Sequence, residues 1–154
     1  MIDLENGSGE LAMIAFDPGY ERGGVAYWHQ GHLHALTTGE VLEELGTFTA
    51  LIGAVNPTAV IVEQIPTLSS PNAIKLGMSY GAITEAVHAA DIQTTMFVRP
   101  ATWQRHHNYP TSTTYAQRKK FAHRLVVENY PGIAIHESVC DAILLLDYLK
   151  DTTS

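Results

Sequence analysis

The chain has 154 residues, 45% of them hydrophobic, one cysteine, and a formal net charge of -7 from 16 acidic and nine basic residues. This length supplies one compact core rather than two, and the longest apolar run, Ala142 to Leu146, falls far short of a membrane span. A lone Cys140 excludes an internal disulfide and a cysteine-rich zinc site, and the acidic opening MIDLENGSGE is unlike a signal peptide, so a soluble cytosolic protein is expected.

In chain order, residues 1–10 offer no periodic apolar face and read as a flexible tail ahead of a single domain over 11–150. Leu11 to Phe16 and Gly24 to Trp28 are short apolar runs bounded by Pro-Gly and Gly-Gly, and HLHALTTG alternates as a third strand, so three antiparallel strands are expected. Val41 to Val55 carries apolar residues at helical spacing and closes at Pro57. Ala59 to Ile65 is a β-branched run of buried-strand type. Pro71 to Ala90 predicts a helix with Gly77, Ser79 and Gly81 in mid-course, and TTMFV a fifth strand. A short helix starts at Pro100, NYPTSTT reads as a polar loop, Tyr115 to Asn129 as a helix, and HESVCDAILLLDYLK as a terminal helix before a flexible tail at 151–154. This order predicts an α/β fold, a five-stranded mixed sheet flanked by helices.

Net acidity argues against a nucleic-acid partner, but the charge is segregated. From Ile92 to Val127 there is no Asp or Glu, and six of the nine basic residues fall there: Arg99, Arg105, Arg118, Lys119, Lys120 and Arg124, with His106, His107 and His123 among them. A short RKK is by itself an ordinary solvated helix face; an acid-free span this long points equally to a nucleic-acid surface.

Four carboxylates stand at the ends of apolar elements: Asp17, Glu63, Glu137 and Asp141. Alone, Asp17 is an Asp opening a Pro-Gly turn and Glu137 a favourable acid in a first helical turn. Glu63, directly after VIV, has no structural use that Leu or Thr would not serve better. Glu137 and Asp141 are four apart, so on a helix they share a face and repel unless a cation lies between them. A hard divalent ion would relieve that repulsion, and two ions about 3.5–4 Å apart would suit an in-line displacement at phosphorus.

With these residues in view, the chain resembles the RuvC-type Holliday junction resolvases of the ribonuclease H-like superfamily. IAFDPGYERGGVAYW is similar to the family's opening Asp-Pro-Gly strand and hairpin, VIVEQI to its Glu-Gln strand, NAIKLGMSYGAITEAV to the following helix, VRPATWQ to a segment of phage members, AQRKKFAHRLV to the basic helix and HESVCDAILLLDYL to the acidic terminal helix. The resemblance implies a ribonuclease H-like fold, two Mg²⁺ ions per subunit with Mn²⁺ as a substitute, and a bacterial or phage-encoded homodimer that nicks opposed strands of four-way DNA. It makes Asp17, Glu63 and Asp141 metal ligands. Where cellular members place an Asp or His three residues before the last Asp, this chain has Ser138; phage-like versions carry an acid four residues before it, which matches Glu137, with His136 beside it as a proton-handling candidate or an ordinary surface histidine. Arg118 and Lys119 fall where the family has a basic residue near the scissile phosphate. With Arg99, Arg105, His106, His107, Lys120, Arg124 and Lys75 they form the expected DNA-binding set. The family's junction-inserting aromatic after the Glu-Gln pair is missing; Pro66 or Leu68 is an apolar wedge candidate there, against a plain loop. The alternatives are a ribonuclease H-like nuclease for branched DNA or RNA without junction preference, and a non-catalytic junction-binding module.

Overall fold

The computed structural model describes residues 12–19, 22–65, 72–111, 113–133 and 135–153. The tail at 1–10 and both wedge candidates, Pro66 and Leu68, lie outside them.

Within the described residues five strands form one sheet. β1 (Met13–Asp17), β2 (Gly24–His29) and β3 (His32–Thr37) are antiparallel neighbours; β4 (Ala59–Glu63) and β5 (Thr94–Val98) add in parallel, giving the order β3-β2-β1-β4-β5. The β2–β3 hairpin turns at Gln30 (φ 51°) and Gly31 (φ 81°), the two positive dihedrals that match the twist of a two-residue hairpin. The mixed sheet agrees with the sequence reading.

Among the described residues six helices flank it. α1 (Thr38–Leu45) and α2 (Phe48–Val55) replace the single helix expected over 41–55. Gly46 ends α1 at φ 83°, and Thr47 then caps α2 by accepting a bond from the Ala50 N–H, so a second start signal lies inside what the apolar spacing read as one helix. α3 (Asn72–Ala89), α4 (Pro100–His106) and α5 (Tyr115–Asn129) fall close to expectation. α6 (Glu137–Thr153) corrects the expected tail at 151–154: the Thr152 and Thr153 hydroxyls donate to the Leu149 carbonyl, and Asp151 pairs with His106 at 2.9 Å, which carries the helix on to Thr153.

Each face of the sheet buries its own core. Ile14, Phe16, Val25, Val60 and Val62 point toward α2 and α3, and Met13, Ala15, Ala26, Ile61 and Val98 toward α6. α6 lies on β1 and β2 with α5 and α4 against its far side, so Ile143 and Leu144 are buried as fully as Ala142, Leu145, Leu146 and Leu149. That enclosure explains the unbroken AILLL run, since a helix covered on two sides has no polar stripe to keep. Among the described residues no helix is long and apolar enough to cross a membrane.

Candidate active site

Strand register brings the first two acids together. β1 and β4 are parallel, with Phe16 opposite Val62, so the next residue on each, Asp17 and Glu63, ends its strand at the same level. Adjacent strands are about 4.8 Å apart, which sets the two carboxylates side by side. The turn after Asp17 is zipped by glycine: a Cβ on Gly23 would come within 2.6 Å of the Asp17 carbonyl oxygen, and one on Gly24 within 3.0 Å of the Ser138 carbonyl oxygen. The second approach seats the first turns of α6 against β2, and one turn further along that helix comes Asp141.

Asp17, Glu63, Asp141 and Lys119 form one electrostatic cluster. Burial pushes the Asp17 carboxyl well above the usual carboxylate range, and the charges of Glu63 and Asp141 push the same way against Lys119. Burial raises Glu63 to about 7, opposed by the hydrogen bond it accepts from Trp103 and reinforced by Asp141. Lys119 Nζ donates to Asp141 Oδ2 at 2.5 Å. Although burial disfavours the Lys119 charge, attraction to Asp141 and Asp17 outweighs it and raises the ammonium's pKa.

Two aromatic side chains hold the acids from behind. Trp103 of α4, fully buried, donates its indole N–H to Glu63 Oε2 at 2.5 Å. Tyr109, three residues past the end of that helix, donates its hydroxyl to Asp141 Oδ1 at 3.0 Å. Their rings meet edge to face at 5.4 Å, so one packed pair orients two carboxylates. Sequence reasoning placed the Trp in a family-like segment without a role and read Tyr109 as part of a polar loop. A lone aromatic amid polar residues was the available signal.

The other candidates stand on or beside α3, α4, α5 and α6. Glu137 and His136, at the head of α6, are exposed, and Glu137 makes no ion pair or hydrogen bond among the described residues. Arg118 donates to the Thr113 carbonyl at 2.9 Å, which fixes its guanidinium at the start of α5. Arg99, Arg105, Lys120, Arg124 and Lys75 are exposed. His106 pairs with Asp151, and the half-buried His107 ring bonds the Leu144 carbonyl at 2.6 Å, with its pKa lowered by burial; both rings tie α4 to α6.

The donor chemistry suits a hard divalent ion: three carboxylates converge, and their mutual repulsion is what raises Asp17 and Glu63 after burial. They are not assembled as a coordination shell, since among the described residues no three Asp, Glu, His or Cys side chains stand close enough to hold an ion together. Lys119 occupies one oxygen of Asp141, and Trp103 one of Glu63.

A mixed five-stranded sheet of order β3-β2-β1-β4-β5, with acids closing β1 and β4 and a third on the last helix, defines a ribonuclease H-like fold of the RuvC type. Its solved counterparts include Thermus thermophilus RuvC in complex with a Holliday junction substrate, with a TM-score of 0.61 at 15% identity over 92% of this chain and 96% of that one. A second structure of Thermus thermophilus RuvC gives 0.60 at 15% identity over the same shares. The yeast mitochondrial Holliday junction resolvase Ydc2 gives 0.52 at 11% identity over 89% of this chain and 78% of that one. No family profile and no curated protein matches the chain in sequence.

Proposed function

We propose that this chain is a metal-dependent, structure-selective endodeoxyribonuclease that resolves four-way DNA junctions by paired nicks. The observation that carries the reading is the Asp17, Glu63 and Asp141 cluster at the carboxyl ends of adjacent strands, beside Lys119, in a fold shared with a RuvC bound to a Holliday junction substrate.

In this reading Asp17, Glu63 and Asp141 hold Mg²⁺, or Mn²⁺ in its place, and the exposed Glu137 completes the site from the same helix as Asp141. Two such ions, when bound, supply an activated water and stabilise the leaving oxygen of an in-line displacement. Trp103 and Tyr109 keep the carboxylates oriented without adding charge. Lys119 and Arg118 face the phosphate and offset the negative charge that grows on it, and His136 carries the proton to or from the reacting oxygens. Arg99, Arg105, Lys120, Arg124 and Lys75 bind the flanking backbone. A junction with two equivalent cut sites is matched by a two-fold dimer with one site per subunit.

The test is cleavage of a synthetic four-way junction by the purified chain with Mg²⁺ or Mn²⁺, beside Y-fork, duplex and RNA–DNA hybrid substrates. Paired nicks in the junction, abolished in Asp17→Asn, Glu63→Gln and Asp141→Asn while junction binding persists, support the reading. Equal cutting of all branched substrates would replace it with a nuclease lacking junction preference. The Lys119–Asp141 ion pair, which neutralises one acid internally, favours as a second reading a junction-binding module without chemistry. Tight metal-independent binding with no cleavage would select that one.

A further inference from the structure

Beside the carboxylate cluster, α4 and the segment leading into α5 enclose an open cavity of about 490 Å³, within the usual range for small-ligand sites. Its inner wall includes Tyr109, whose hydroxyl is bonded to Asp141, and Arg118, the neighbour of Lys119 on α5. Tyr109 thus borders both the cavity and Asp141, and Arg118 is adjacent in sequence to the Lys119 that pairs with Asp141.

Its lining has two characters. Arg105 and Arg118 contribute two positive charges with no acid among the described lining residues, and the Arg118 fork is already fixed by its bond to the Thr113 carbonyl. Pro100, Ala101, Pro110 and the Tyr109 ring supply flat apolar surface, and Gln104 an amide able to both donate and accept. A free inorganic anion would use the arginines and leave the apolar wall wet. A ligand with an anionic group joined to a flat, hydrogen-bonding ring uses both parts, and a nucleotide is such a ligand.

We infer that this cavity is a nucleotide subsite: resting on the nuclease reading above, it receives one unstacked deoxynucleotide of the cut strand next to the scissile phosphate. The phosphate of that nucleotide lies on Arg105 and Arg118, its base lies on the proline and tyrosine surface, and Gln104 reads the base edge. The subsite gives the enzyme a sequence preference at that position, on top of its choice of DNA shape.

The experiment uses the full chain and four-way junctions in which each nucleotide around the cut is in turn made abasic. The wild type is expected to lose at least about fivefold in cleavage rate at one position adjacent to the cut, the lower end of what one stacked base contributes. Ala101→Trp fills the cavity from an exposed position in the first turn of α4, so it should lower cleavage of the intact junction similarly and become indifferent to the abasic replacement. The same abasic profile in both proteins overturns the subsite. If the wild type cuts no branched DNA, the nuclease reading fails by itself, and the cavity is judged by NMR titration with a tetradeoxynucleotide. Saturable shifts at Ala101, Gln104 and Arg105 that are absent in Ala101→Trp and not produced by inorganic phosphate support a nucleotide site; no shifts, or equal shifts with phosphate, overturn it.

Discussion

Asp141 is held by donors of opposite kinds, the Lys119 ammonium on one oxygen and the Tyr109 hydroxyl on the other. The ammonium can move aside on its flexible stem when a cation or phosphate arrives, whereas the Tyr109 hydroxyl is fixed by a buried ring. Glu63 takes a neutral donor of this second kind from Trp103 and shares a further hydrogen bond with Asp17. Trp103→Phe and Tyr109→Phe keep most of the apolar burial and delete one hydrogen bond each, so both proteins should fold. Each should bind Mn²⁺ about 10–100-fold more weakly in calorimetry, the cost typical of losing a group that orients a metal ligand. Unchanged affinity would reduce the aromatic pair to packing. Glu137→Gln should cost less activity than any of the three clustered acids, because Glu137 is exposed and unpaired among the described residues; a loss equal to that of Asp141→Asn would make it an equal ligand. Asp17 and Glu63 were legible in the chain because a carboxylate ending a buried strand breaks the apolar pattern, and a parallel register does the rest. Tyr109 was not, because its bond to Asp141 spans 32 positions and leaves no local periodicity.

At the scale of elements, the five strands were readable because alternation and turn residues are local signals, and the hairpin glycine needs its positive φ wherever the chain is placed. The break between α1 and α2 was hidden because apolar spacing continues across it while Gly46 and Thr47 stop and restart the backbone. Gly46→Ala would force a side chain into φ 83° with nothing nearby to repack, and should lower stability by about 1 kcal/mol in urea denaturation. The far end of α6 carries a second buried carboxyl. Asp147 accepts the Tyr130 hydroxyl and is raised from 3.8 to about 6, chiefly by burial, with the Tyr130 bond opposing and Asp151 adding to the rise. The folded state thus holds this proton more tightly than the unfolded chain does. The stability it gives is fully present below about pH 4, falls as pH rises to about 6, and is constant beyond, a loss of about 3 kcal/mol. Asp147→Asn still accepts the tyrosine bond and cannot ionise. Its stability curve should lack that decline, meeting the wild type near pH 4 and exceeding it by a similar amount at pH 8; parallel curves would show that the buried charge is compensated elsewhere.

Across the whole molecule, basic charge and exposed apolar surface fall on different elements. Lys119 of α5 stands in the carboxylate cluster, while α3, on the opposite face of the sheet, exposes positions 74, 78 and 81, with Gly77 half-buried between them. Ile74 and Met78 are each 71% exposed, and Gly77 and Gly81 leave open space where side chains would stand. Large apolar side chains alternating with glycine let two helices approach closely with knobs entering gaps, and in solution such a surface is costly to leave wet. The small residues of this helix were visible in the sequence, but whether they packed on the sheet or faced outward depends on how α3 is rotated on its neighbours, which spacing alone does not fix. On the proposed dimer, the outward stripe makes α3 the expected contact. Charged substitutions there, Ile74→Lys with Met78→Glu, should convert a dimer to a monomer in light scattering while leaving the fold and the distant carboxylate cluster intact. Coupling between sites then becomes measurable on a supercoiled plasmid bearing a cruciform. Paired nicks within one bound dimer give linear DNA, and independent nicks give mainly the open circle. The double variant should shift the product from linear to open circle while each single nick still depends on Asp17. A variant that stays dimeric, or that keeps producing linear DNA, would move the contact to another face and separate two-fold cutting from α3.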